Sequence, residues 1–92
     1  MIRSCNDKDT EKLLNRVPSR KWKSIEKAAR ERLALLNAAT SLKDLSLPGL
    51  RLKKLVGDRA GQYSIRINDQ FRICFRWRDR DAYDVEVTDY HY

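Results

Sequence analysis

Apolar and polar residues alternate strictly through the last third of the chain. Tyr63, Ile65 and Ile67 share one parity, as do Phe71, Ile73, Phe75 and Trp77 in the next run, and Tyr83, Val85 and Val87 in a third. A period of two marks half-buried strands, so the pattern predicts strands over 63–67, 71–78 and 83–88, each with one apolar face. Asn68-Asp69-Gln70 tolerates positive φ and joins the first two as an antiparallel hairpin. Arg78 to Ala82 makes the second joint of the meander. Upstream the period changes. Trp22, Ile25, Ala29, Leu33 and Leu36 recur every three or four residues, widened by Ala28 and Leu35, which predicts an amphipathic helix over 20–37 with Trp22 as a core anchor. A shorter helix ending near Asn15 follows the N-cap candidates Asn6 to Thr10. Pro18 breaks the chain after it, and Ser19 is placed to cap the long helix. Met1 to Cys5 reads as a short strand, Leu42 to Leu45 as one helical turn and Leu47 to Leu50 as a loop. Arg51 to Val56 reads as a further strand, closed by a turn at Gly57 to Gly61. The sum is an α+β fold: two N-terminal helices packed on a mostly antiparallel sheet of four to five strands, in one domain over residues 1–92.

Charge narrows the class of partner. Twenty Lys and Arg stand against 13 Asp and Glu, a net charge of +7. That excess is spread along the chain and favours an anionic partner such as RNA, DNA or an acidic protein. Cys5 and Cys74 have no spacing for zinc and are expected to be free thiols in a reducing compartment. No metal or other cofactor is expected. Gly57 and Gly61 lack the spacing of a dinucleotide loop. No apolar run approaches the roughly 20 residues of a membrane helix, and no signal-peptide core is visible, so a cytoplasmic protein without membrane contact is expected.

The outward parity of the strands carries the candidate chemistry. Arg66, Arg72, Arg76 and Arg78 lie there with Cys74, and the middle run holds no acid. Asp89-Tyr90-His91-Tyr92 follows the last strand and includes the single histidine. Metal-free cleavage of RNA needs a base for the ribose 2′-hydroxyl, an acid for the leaving 5′-oxygen and a cation for the phosphorane. His91 and Asp89 are suited to proton transfer, Tyr90 to stacking or proton donation, and Arg72 and Arg76 to holding phosphate. Lys53 and Lys54 add charge, and a lysine crowded by cations can serve as a base. The bland alternative pairs the arginines with Asp84 and Glu86 and lets Asp89-Tyr90 simply end a strand. On the residues alone, nucleic-acid or acidic-protein binding without cleavage stands beside nuclease activity.

Lys54-Leu-Val-Gly-Asp-Arg-Ala-Gly61, Tyr63-Ser-Ile-Arg-Ile67, Phe71-Arg-Ile-Cys-Phe75 and the ending Asp89-Tyr90-His91 together resemble the HigB toxins of the RelE superfamily, across nearly the whole chain. The resemblance implies a RelE-like fold and a bacterial type II toxin that cleaves mRNA in the A site of the translating ribosome, without metal. It implies a HigA-type helix-turn-helix antitoxin as partner, and operator DNA bound through that antitoxin. Carried over by residue, Arg72 stabilises the transition state, Asp89 and His91 share proton transfer, and Tyr90 positions a base or assists. Lys53 occupies a position where family members can carry a catalytic histidine, and related toxins use lysines. Lys54, Arg59, Arg66, Arg76 and Arg78 form the expected RNA- and ribosome-binding set. The competing readings are a non-catalytic RNA- or ribosome-binding module, and an inactivated toxin kept as an operon co-repressor.

Overall fold

The helical and strand periodicities bury against each other. The computed structural model describes residues 1–89. It contains helices α1 (Lys8–Leu14) and α2 (Glu26–Ala38) and strands β1 (Lys53–Lys54), β2 (Tyr63–Arg66), β3 (Arg72–Arg78) and β4 (Asp81–Thr88). The strands form one antiparallel sheet in the order β1-β2-β3-β4. Leu13 of α1 and Ala29, Leu33 and Leu36 of α2 share one buried cluster with Ile65, Ile73, Phe75, Val85 and Val87, and Trp22 and Ile25 belong to it. No helix among the described residues is long and apolar enough to cross a membrane.

The N-terminal region is tied down at β4. The Asp7 carboxylate accepts from the Thr10 N–H at 2.7 Å and caps α1, where negative charge suits the helix dipole. The Thr10 hydroxyl accepts from the Val87 N–H at 3.0 Å, which fixes α1 to the sheet. The expected N-terminal strand is a pair of parallel bridges, Ile2 to Ala82 and Cys5 to Val85, that cover the β4 edge. The terminal amine and the Arg3 guanidinium each reach Asp81 at 3.1 Å.

Three elements differ from the sequence expectation. The long helix begins at Glu26, after a 3₁₀ turn over Lys23–Ile25. Ser19 does not cap it; its buried hydroxyl donates to Asp9 at 3.1 Å. Trp22 packs edge-on against Phe71 with ring centroids 5.3 Å apart, and the chain turns around this anchor before α2 starts. β1 spans only Lys53–Lys54 because Arg51 is left-handed (φ 45°) and cannot join a strand. Val56, 77% exposed, leads into a 3₁₀ turn at Gly57–Arg59.

The third difference is on β4. Arg76 pairs with Tyr83 but Cys74 with Glu86, so Asp84 and Val85 stand opposite Phe75 in a β-bulge, with Asp84 at φ 52°. The extra residue shifts the parity. Tyr83 therefore does not share the face of Val85 and Val87; it lies on the outward face beside Arg76, and Ala82 takes its place in the core. The turn before β4 is a two-residue connection in which Asp79 (φ 50°) and Arg80 (φ 70°) are both left-handed, the geometry of a type I′ hairpin.

Two outcomes are expected. Arg80→Gly raises the unfolding free energy by about 0.5–1 kcal/mol, the left-handed cost of arginine less the extra chain entropy of glycine. Urea unfolding measures it, and a lowered midpoint contradicts the turn assignment. Hydrogen bonds from Arg3 and then from the terminal amine hold the Asp81 carboxyl below its usual range. A lowered folded pKa gives stability that is present above the ordinary carboxylate value of about 4 and lost as pH falls through the folded value. Asp81→Asn therefore lowers the melting temperature at pH 7, and the gap closes in strong acid. A gap that does not change with pH contradicts the assignment.

Candidate active site

β3 is buried on both faces where it starts. Arg72, Ile73, Cys74 and Phe75 are all buried, but only Ile73 and Phe75 belong to the helix-side cluster. Ser64 of β2 and Leu55 are likewise buried outside that cluster. Residues 55–62 form a loop whose ends are joined by the Leu55 N–H donating to the Gln62 carbonyl at 2.8 Å. Arg59 extends from this loop and donates to Gln62 Oε1 at 3.1 Å and to Glu86 Oε1 at 3.3 Å, which ties the loop to β4. Gly61 (φ 89°) closes the loop under Arg76: a Cβ there would lie 2.9 Å from the Arg76 Nη1.

Register places the polar residues in rows, since paired residues share a face. One row is Lys53, Ser64, Cys74 and Glu86; the next is Arg66, Arg72 and Thr88. Lys53, Arg66 and Arg72 thus lie toward one end of the outward face; Asp89 follows Thr88 in the chain, with the parity of Val87. The Asp89 carboxylate accepts from Gln70 Nε2 at 3.2 Å. Gln70 is presented by the β2–β3 turn, where Asn68 Oδ1 accepts from the N–H groups of Gln70 and Phe71 at 2.8 Å each.

Arg72 is the centre of this end. It is only 7% exposed. Its Nε donates to Ser64 Oγ at 2.8 Å, and its Nη2 donates to the Arg51 carbonyl at 2.6 Å and to the Ser64 carbonyl at 3.4 Å. Burial of a guanidinium costs several kcal/mol, so stability alone does not favour this side chain here. Arg66, directly opposite, would repel it, but Arg66 is paired with Asp69. Burial pushes the Cys74 thiol up, against the pull of Arg59, so this sulfur is a poor nucleophile.

The other expected residues fall elsewhere. Arg76 pairs with Asp84 at 3.5 Å. Arg78 stacks its guanidinium 4.6 Å from the centroid of Tyr83. These residues line an open groove with Gly61 and Trp77 at the far end of the face. Lys54 is in register with Tyr63 and therefore lies on the helix side of the sheet, away from Lys53. Tyr90 and His91 lie outside the described residues. The contacts of Ser64, the Arg51 carbonyl, Gln70 and Glu86 are not visible in the sequence. The one signal is the outward parity of Ser64 beside Arg66. In chemical terms the end of the face offers a fixed cation for a phosphorane, with Lys53 one row away on the same face.

The chain is similar to known proteins. Toxin HigB-1 of Vibrio cholerae serotype O1 (strain ATCC 39315 / El Tor Inaba N16961) is 39% identical over 70 residues, covering 75% of this chain and 74% of the relative. Endoribonuclease HigB of Proteus vulgaris is 36% identical over 61 residues, 66% of each chain. Two solved YoeB–YefM toxin–antitoxin complexes from Staphylococcus aureus, one heterotetrameric, contain a chain of the same fold. Their TM-scores are 0.55 and 0.59 at 18% and 19% identity, over 100% of this chain and 99% of theirs. Residues 5–91 match the family described as the RelE-like toxin of the type II toxin-antitoxin system HigB, and the chain belongs to that family.

Proposed function

We propose that this toxin is a metal-independent endoribonuclease that cuts mRNA in the ribosomal A site and so stops translation. The observation that carries the reading is the buried Arg72 guanidinium, held by neutral oxygens on the outward face of β3. A base takes the ribose 2′-hydroxyl proton, and the 2′-oxygen attacks the adjacent phosphorus. Charge builds on the non-bridging oxygens, where Arg72 supplies preorganised stabilisation. An acid then protonates the leaving 5′-oxygen, giving a 2′,3′-cyclic phosphate and a 5′-hydroxyl. Lys53, Asp89 and His91 share the two proton transfers, and Tyr90 stacks on or orients a base. The relative named Endoribonuclease HigB supports RNA cleavage as the reaction.

Size and charge support ribosome dependence. A chain of 92 residues has little room for a deep substrate cleft, so substrate alignment has to come from outside. Alignment of this kind is worth several kcal/mol of barrier. Lys54, Arg59, Arg66, Arg76 and Arg78 engage RNA phosphates. Arg59, Arg66 and Arg76 exchange the internal acids Glu86, Asp69 and Asp84 for phosphate as they do so. An antitoxin partner accords with the family and with the two toxin–antitoxin complexes of the same fold. A HigA-type helix-turn-helix antitoxin would carry the pair to operator DNA.

Purified ribosomes programmed with a defined mRNA test the reading, with the same mRNA free in solution as comparison. Wild type is expected to cut within the reading frame on ribosomes and only weakly in free RNA. Arg72→Ala is expected to slow cutting about 10²–10³-fold, the size seen when a transition-state donor is removed. His91→Ala is expected to slow it about 10²–10⁴-fold, the range of a lost general acid or base. Both variants keep ribosome binding. Equal cutting of free RNA contradicts ribosome dependence. Binding without any cutting by wild type contradicts the nuclease and leaves a non-catalytic binding module.

A further inference from the structure

The buried oxygens around Arg72 have a role of their own if Arg72 acts on phosphate. We infer that Ser64, together with the left-handed Arg51, positions the Arg72 guanidinium toward the scissile phosphate; this rests on the nuclease reading above. A free arginine side chain has many rotamers, so a preorganised one needs fixed acceptors. Three are present. Ser64 Oγ takes Nε at 2.8 Å, the Arg51 carbonyl takes Nη2 at 2.6 Å, and the Ser64 carbonyl lies 3.4 Å from Nη2. Together they hold the Nε–Nη2 edge and fix the plane of the group.

The chemistry of these acceptors matters as much as their place. All three are uncharged oxygens. A carboxylate at Ser64 would form a bidentate pair and cancel the charge that a phosphorane needs. A hydroxyl and two carbonyls orient the guanidinium without themselves adding a counter-charge. Ser64 is suited by register: it stands directly opposite Lys53 on one side and Cys74 on the other, one row from Arg72. Arg51 follows the 3₁₀ turn at Pro48–Leu50, and its left-handed backbone (φ 45°, ψ 54°) accompanies the carbonyl contact just before β1 begins. The backbone that holds Arg72 therefore also delivers Lys53.

The test uses Ser64→Ala, Ser64→Thr and Arg51→Gly in single-turnover cleavage of ribosome-bound mRNA, with the Arg72 Nε–H resonance followed by NMR. Ser64→Ala is expected to lower the maximal rate about 10- to 100-fold, the scale of a misplaced catalytic group, with half-saturation unchanged and the Arg72 Nε–H signal shifted. Ser64→Thr keeps the hydroxyl and restores both rate and signal. Arg51→Gly keeps the carbonyl and the left-handed backbone, and so keeps the Arg72 Nε–H signal at its wild-type position. A fully active Ser64→Ala beside an active wild type overturns the inference alone. So does a Ser64→Thr protein as slow as Ser64→Ala, or an Arg51→Gly protein whose Arg72 Nε–H signal shifts. A wild type that cuts nothing overturns the nuclease reading first, and this role with it.

Discussion

Burial of β3 on both of its faces is the constraint from which the rest of the molecule follows. Ile73 and Phe75 close against the α2 stripe and account for the helix layer. The same strand then has to place Arg72 and Cys74 on the opposite face, where burial demands a second cover. The 55–62 loop supplies it, held by Arg59 to Glu86 across the sheet. A cation fixed in this way is set by the fold before any substrate arrives. This is the property that electrostatic catalysis requires. The apolar core and the candidate catalytic group are thus two sides of one strand.

The cationic face is not the bare stripe that its sequence implies. Arg59, Arg66 and Arg76 each have an acidic partner. Arg66–Asp69 and Arg76–Asp84 are the more exposed, and pairs of this kind contribute about 0–1 kcal/mol and yield readily to a phosphate. Arg72 differs, because it is buried and hydrogen-bonded to backbone and hydroxyl oxygens. The face therefore combines one fixed guanidinium with several that can change partner.

Legibility in the sequence followed the range of the interactions. The parities of β2 and β3 and the buried Trp22 to Leu36 stripe are local patterns and match the structure, although Trp22 and Ile25 precede α2 and Leu35 is exposed. The bulge at Asp84 was not legible, because no glycine marks a left-handed residue within β4, and so Tyr83 was placed on the wrong face. Arg51 hid the end of its strand in the same way. Burial of the outward face depends on Arg59 meeting Glu86, 27 residues away, and on Ser64 meeting Arg72 across a hairpin. Such contacts need register, which periodicity does not supply. The site residues named from family resemblance split accordingly. Lys53 and Arg72 lie toward one end of the outward face, Arg76 and Arg78 lie at the other, Lys54 falls on the helix side, and Asp89 meets Gln70 of the β2–β3 turn.

Attack by the substrate's own 2′-hydroxyl is tested most directly with an mRNA that carries one 2′-deoxynucleotide at a mapped cut site. Cleavage at that phosphate on the ribosome is expected to vanish, while the all-ribose mRNA yields a 2′,3′-cyclic phosphate and a 5′-hydroxyl. Undiminished cleavage at the deoxy position would contradict the mechanism and with it the role given to Arg72.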